Sequence, residues 1–252
     1  MLQQYSGLIW FLVLIVPLFF TQRRLHFETQ AVLLLITRRG DIASALFAVL
    51  FFPGVLLHET SHFVTARLLG VKTVNFSLIP SSQPDGRLRL GYVETAKTDL
   101  FRDAAIGAAP MFAGGVFVAY AGLQMLGLGS FLDIVRQNNP VFVLDEFFAL
   151  TRQPDFWLWF YLTIAVSSTM LPSNSDRRAW PPLIAIMLAA LGIGLVAGAG
   201  PWLMDNLGPY VIQGFRVATI VMGVSLFLQL IFLVPVWGLR LTISKLTKLR
   251  VE

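Results

Sequence analysis

No cysteine occurs in the 252 residues, which excludes disulfides, thiolate metal sites and cysteine nucleophiles. Any metal must be held by His, Asp or Glu, and histidine is scarce, with three in the chain. Charge is scarce too. Charged residues make up 13% against 56% hydrophobic, and mean hydropathy is +0.72. A soluble domain carries about 25% charged residues, so this chain cannot cover its surface with polar groups in water. A bilayer is the solvent its composition requires. The net charge of +5 would suggest nucleic acid in a soluble protein. Here the basic residues flank apolar runs, where they act as topology signals and lipid-headgroup contacts. The expected partner is the lipid bilayer, and no nucleic acid is expected.

An ionisable group at mid-bilayer is costly, and about 20 apolar residues cross the hydrocarbon, so spans are sought where charge is absent. Charge-free stretches run from Met1 to Gln22, Ala104 to Leu132, Phe156 to Ser175, Ala179 to Met204 and Val217 to Leu239. A sixth, Ile42 to Ala66, is interrupted by one polar island. The expected fold is therefore an all-α polytopic membrane protein, one domain over 1–252 with about six transmembrane helices. The first span lacks a basic leading region and a small-residue cleavage site, so it reads as an anchor. Placing the second span outside to inside sets 12 Lys and Arg on the inner side and 7 on the outer. That split predicts a multi-pass protein of the cell membrane with both termini cytoplasmic. The short segment Leu25 to Thr37, with arginines near both ends, is expected along the interface, as is a basic tail over about 239–252. Between the second and third spans, alternation around Pro84-Asp85-Gly86 predicts a small β-hairpin over about 71–95.

The polar island is His58-Glu59-Thr60-Ser61-His62, an HExxH pattern. Residues four apart share one helix face, so both imidazoles can converge on Zn²⁺ while Glu59 stands beside a water as general base. Two histidines and a glutamate inside a lipid-spanning segment each need a partner, which a metal supplies. A catalytic zinc takes three protein ligands. The remaining histidine, His26, lies next to the first span on the predicted outer side, which leaves a carboxylate. From Ile42 to His62 is 20 residues, as from Phe156 to Asp176, or roughly 30 Å of helix. The second and fourth spans run in the same direction, so Asp176 arrives at the depth of His62. Asp103, at the start of the third span, competes with it, and Asp99 and Glu94 are further alternatives. Asp133, Asp145, Glu146, Asp155 and Asp205 fall at the opposite face.

These residues carry a resemblance. The HETSH motif in a membrane span resembles the site-2 protease family of intramembrane zinc metalloproteases, whose second motif, Asn-x-x-Pro followed by Asp-Gly, supplies the third ligand. The run Thr169-Met170-Leu171-Pro172-Ser173-Asn174-Ser175-Asp176 occupies that place. Thr169 stands for the Asn, the Pro-to-Asp spacing is one residue shorter, and Arg177 replaces the Gly. Gly91-Tyr92-Val93 resembles the Gly-Tyr-Val of the family's membrane-associated β element, and Gly107-Ala108-Ala109-Pro110 the opening of its next span. The resemblance covers Pro53 to about Trp180. It implies a zinc-dependent intramembrane endopeptidase with His58, His62 and Asp176 on the metal and Glu59 as catalytic base, acting on a membrane-protein segment.

Elementary chemistry gives the weaker pieces roles. An extended substrate can add to a free strand edge near Gly91-Tyr92-Val93, small residues such as Gly107, Gly114 and Gly115 let helices approach closely, and Pro53-Gly54 can loosen the helix before His58. Two other readings remain open at this point. One is an HExxH membrane protease of another class with a Glu as third ligand. The other is a non-enzymatic metal-binding membrane protein, a transporter or inactive homologue, against which Glu59 argues because a pure metal site needs no base.

Overall fold

A computed structural model of the protein describes residues 6–82, 88–130, 145 and 148–249. Helix α1 spans Ser6–Thr37 and α2 spans Gly40–Leu68. The link Arg38-Arg39, with Arg38 in the left-handed region at φ 54°, is too short for anything but an antiparallel pair. Accordingly His26 packs edge-on against Phe47 and Phe51 at 5.4 and 4.9 Å. Helix α1 does not stop at Gln22, and Leu25–Thr37 is not a separate interfacial segment. The helix continues because its charge is partnered: Glu28, fully buried, is held by Arg24 at 2.6 Å and by Arg240. A buried carboxylate is tolerated only with such partners.

A nested hairpin follows. Strand β1 (Thr73–Ser77) pairs antiparallel with β4 (Tyr92–Thr95), and β2 (Ser81–Ser82) with β3 (Leu88–Arg89). The expected hairpin is present, and its Pro84-Asp85-Gly86 turn lies outside the described residues, as do Asp133 and Glu146. Helix α3 spans Leu100–Tyr120 and runs on into a π-helical turn, Ala121–Met125. Asp99 caps its start, accepting from the N–H groups of Phe101 and Arg102 at 3.1 Å. The Arg102 N–H above all, with the Arg102 guanidinium and Phe101 N–H, holds the Asp99 carboxyl below its ordinary range.

The expected 20-residue fourth span is a helix of 12, α4 (Phe156–Ser167), about 18 Å long where the hydrocarbon is about 30 Å thick. It ends at Ser167, and Pro172, which offers no N–H and disfavours the α conformation for Leu171, keeps it from resuming. Gln22 Nε2 donates to Ser168 O at 2.5 Å and Gln229 Nε2 to Ser167 Oγ at 3.2 Å, so side chains of other helices satisfy the chain where α4 stops. Helices α5 (Trp180–Val196) and α6 (Gly200–Asn206) are bent by 119°. Gly198 at φ 84° takes the left-handed turn, Ala199 N–H returns to Gly194 O at 2.9 Å, and Pro201 opens the next helix. Helix α7 (Gly208–Thr247) is continuous and absorbs the expected interfacial tail through Thr247.

Four helices are long and apolar enough to cross a membrane, namely α1, α2, α3 with its π turn, and α7, or five if the bent pair counts as one span. The count of six is not reproduced. Helices α1 and α7 also lie side by side and parallel, whereas the first and last of six successive crossings would be antiparallel. Gly7 touches the Arg216 backbone, so closely that a Cβ there would come within 3.0 Å of Arg216 N, and Thr219 Oγ1 donates to Gly7 O at 2.8 Å. At the far end Arg240 meets Glu28.

The second and fourth elements do run in the same direction. Tyr161 Oη donates to Leu50 O at 2.9 Å and His58 Nδ1 to Thr169 O at 2.8 Å, both pairs 111 residues apart. Their contact is built on Gly54, where a Cβ would come within 2.2 Å of Ala165 O. Gly54 therefore serves close helix approach, and α2 passes through Pro53 unbroken.

Candidate metal centre

The HExxH island occupies the C-terminal half of α2, deep enough that Glu59 and His62 are buried and His58 and Asp176 are partly so. Each imidazole is oriented by a carbonyl from a different element. His58 Nδ1 donates to Thr169 O beyond α4, and His62 Nδ1 donates to Ile106 O on α3, both at 2.8 Å. With both Nδ1 protons so engaged, both Nε2 atoms present lone pairs. They lie 3.2 Å apart. The Asp176 carboxylate closes the third corner, Oδ1 at 3.4 Å from His62 Nε2 and Oδ2 at 3.7 Å from His58 Nε2.

Two lone pairs and a carboxylate gathered this closely repel one another unless a cation stands among them. Zinc bound at about 2.0–2.1 Å in a tetrahedron sets its ligand atoms about 3.3–3.4 Å apart, and the nearest approaches, 3.2 Å between the imidazoles and 3.4 and 3.7 Å to the two different carboxylate oxygens, lie near that value. The donor set therefore fits zinc by atom type, by spacing and by the backbone carbonyls that fix each ring.

Asp176 reaches this position on the irregular segment between α4 and α5. Non-helical backbone at membrane depth persists only where protein or a cavity surrounds it, and the segment is bound internally and to α3. Ser173 N–H donates to Asp176 Oδ2 at 2.7 Å, and Arg177 donates to Asn174 Oδ1 at 2.6 Å and to Ser173 O at 3.3 Å. Where the resembling motif has Gly, this chain has an arginine that folds the loop on itself. On the α3 side, Gly107 is in backbone contact with Asp176: a Cβ there would lie 2.0 Å from Asp176 O. Gly114 likewise leaves room for Met170, whose Cβ would meet an added Cβ at 2.5 Å. The small-residue face of α3 thus packs against the segment that carries Asp176.

The three groups open into a cavity of about 480 Å³, with Gly91 to Thr95 along one wall and Asp103, Gly107 and Arg178 along another. Glu59 lines it beside the histidines. Gly91 packs on Glu59 closely enough that a Cβ would meet its Cγ at 2.9 Å, so the start of β4 and the glutamate are in contact. The competing carboxylates are engaged elsewhere. Asp103 takes a two-pronged hydrogen bond from Arg178 at 2.9 and 3.0 Å, Asp99 caps α3, and Glu94 accepts from Asn75 Nδ2 at 2.8 Å. Among the described residues, His58, His62 and Asp176 form the one group of three or more potential ligands. Asp145 and Asp205 are exposed and apart from it, Asp155 opens α4 at its other end, and His26 sits among the aromatic rings of Phe47 and Phe51.

Comparison of the chain with protein families, with curated proteins and with solved structures found no match.

Some contributors had no signal in the sequence. The carbonyls of Ile106 and Thr169 are backbone atoms in segments chosen by tertiary contact, and nothing local in the sequence ties Arg178 to Asp103, 75 residues away.

Proposed function

We propose that the protein is a zinc-dependent endopeptidase, of the site-2 protease kind, that hydrolyses peptide bonds of membrane-embedded or membrane-proximal protein segments. The observation that carries this reading is the convergence of His58 Nε2, His62 Nε2 and the Asp176 carboxylate beside Glu59 in one cavity. Zinc held by those three groups would polarise a peptide carbonyl and acidify a water. The chain's own residues do the rest. The Ile106 and Thr169 carbonyls hold the imidazoles with Nε2 toward the ligand position. The Glu59 carboxylate takes a proton from the attacking water and returns it to the leaving amide nitrogen. Strand β4 is paired with β1 and lines the cavity, where it would lie alongside an extended segment, which a helical substrate must become before its carbonyls are accessible.

The membrane arrangement that goes with this reading has five crossings: α1, α2, α3, α4 with the segment after it, and α7. The bent pair α5 and α6 then begins and ends on the cavity face, because α4 leads toward that face and α7, parallel to α1, starts from it. The first described residue of α1, Ser6, and the end of α7, Thr247, then lie on opposite faces. Arg240, Lys245 and Lys248 change sides relative to a six-span chain and Arg216 joins the cavity face, so the 12 to 7 charge asymmetry is lost.

Glu59→Gln tests the function. It keeps a neutral group of similar size, so zinc stays bound while cleavage of a transmembrane substrate falls about 10²-fold or more. Unchanged turnover would remove Glu59 from the mechanism, and purified wild-type protein without zinc would remove the metal.

A further inference from the structure

The first turns of α3 do more than pack. Ile106 O receives His62 Nδ1, Gly107 touches the backbone of Asp176, Ala104 O accepts Trp180 Nε1 at 3.4 Å, and Asp103 receives Arg178 Nε and Nη2 at 2.9 and 3.0 Å. Two of the three candidate ligands are thus referenced to one short piece of helix. Asp176 has no regular secondary structure to place it, and the two residues after it lead directly into the Arg178 fork. That ion pair is exposed at the cavity rim, with the arginine side chain 65% and the aspartate 22% accessible. An exposed pair adds little stability. Its two-pronged geometry instead fixes a distance and an orientation.

We infer that Arg178 and Asp103 are positioning residues for the metal centre: the fork docks the ligand-bearing segment on α3 and holds the Asp176 carboxylate in register with His58 and His62. The inference rests on the zinc reading. It also gives Asp103, at the cavity edge, a role in orienting the third ligand through Arg178. Loss of the fork leaves the three ligands in place and loosens the one that lacks a helix.

The test uses purified full-length wild type, Arg178→Gln, Asp103→Asn and the double variant. Zinc affinity is measured by competition with a chromophoric chelator, and the Co²⁺-loaded forms are compared by their visible d–d bands. Each single variant is expected to bind zinc about 10 to 100-fold more weakly, the range for groups that orient a ligand, with an altered Co²⁺ band. The double variant should be no weaker than either single one, because both substitutions remove the same interaction. Asp103→Glu, which keeps a carboxylate for the fork, should recover most of the affinity. Arg102→Gln, which breaks the neighbouring exposed pair with Asp99, should bind zinc like wild type. Wild-type affinity in either single variant, or losses that add in the double variant, would overturn the positioning role. Wild-type protein that takes up neither zinc nor cobalt would instead overturn the metal reading on which it rests.

Discussion

Adding one methyl group at Gly107 should displace the Asp176 carboxylate by pushing on the Asp176 backbone. A Cβ at that position would sit 2.0 Å from Asp176 O and 2.9 Å from Asp176 C, and both are backbone atoms that no rotamer change can move aside. Ordinary contact begins near 3.4 Å, so α3 and the segment must separate by about 1.4 Å, the difference between those two distances. Zinc coordination tolerates about 0.2 Å. The Asp176 carboxylate therefore leaves bonding range unless its side chain extends to compensate. The expected loss in zinc affinity for Gly107→Ala is at least 10 to 100-fold, about 1.4 to 2.8 kcal/mol, with cleavage falling by about 10², the cost typical of a 1 Å misplacement. The assay is chelator competition on the purified protein beside circular dichroism, which should show unchanged helix. Gly115→Ala is the matched control, since its Cβ would meet nothing closer than Val221 Cγ1 at 3.9 Å. If Gly107→Ala binds zinc and cleaves like wild type, the backbone contact does not set the position of Asp176 and the reasoning fails.

Asp176→Asn removes the charged oxygen donor, so most of the metal should be lost to mild chelation together with activity; a metal-replete, active variant would show that zinc is held by other groups. Single cysteines replacing Lys97, Asp145 and Lys248 in this cysteine-free chain can be labelled from one side of the membrane. Five crossings require 145 and 248 to label from the same face and 97 from the other, and equal labelling of 97 and 248 would restore an even count. Asp99→Ala should lower the melting temperature at neutral pH by uncapping α3. Because folding depresses the Asp99 pKa, that stabilisation is present above the unfolded value of about 3.9 and fades as pH falls through the lower folded value. A difference between variant and wild type that persists at still lower pH would contradict the capping role.

The legible parts of the sequence were those that depend on local chemistry. HExxH reads directly because a helix repeats its face every four residues, so the positions of His58, Glu59 and His62 relative to one another need no tertiary information. Apolar stretches mark helices α2 and α7 for a similar reason, and alternation with a turn signal marked the hairpin. Asp176 lies near His62 because α2 and α4 are parallel, although α4 stops after 12 residues and an irregular segment covers the remaining distance. Span counting was less successful. A run without charge is only a guide to crossing: Ala179 to Met204 breaks at Gly198, and the charged stretch after Gln22 stays helical because Arg24 and Arg240 lie beside Glu28.

Sequence alone thus determined that the chain needs a bilayer, that one helix presents two imidazoles and a carboxylate on adjoining faces, and that no thiol takes part. Tertiary structure decided how a carboxylate comes to lie beside them. Asp103 and Asp176 lie near the same depth, and in the sequence only the resemblance of the 169–176 run favoured Asp176. Arg178 engages Asp103 from a residue 75 positions away, and Gly107 lets the Asp176 backbone approach close enough for its side chain to reach both histidines. The same holds for the direction of α7, which is set by side-chain fit along α1 and leaves no periodic mark in either segment. Contacts between distant segments depend on where every intervening turn sends the chain, and that information exists only once the chain has folded.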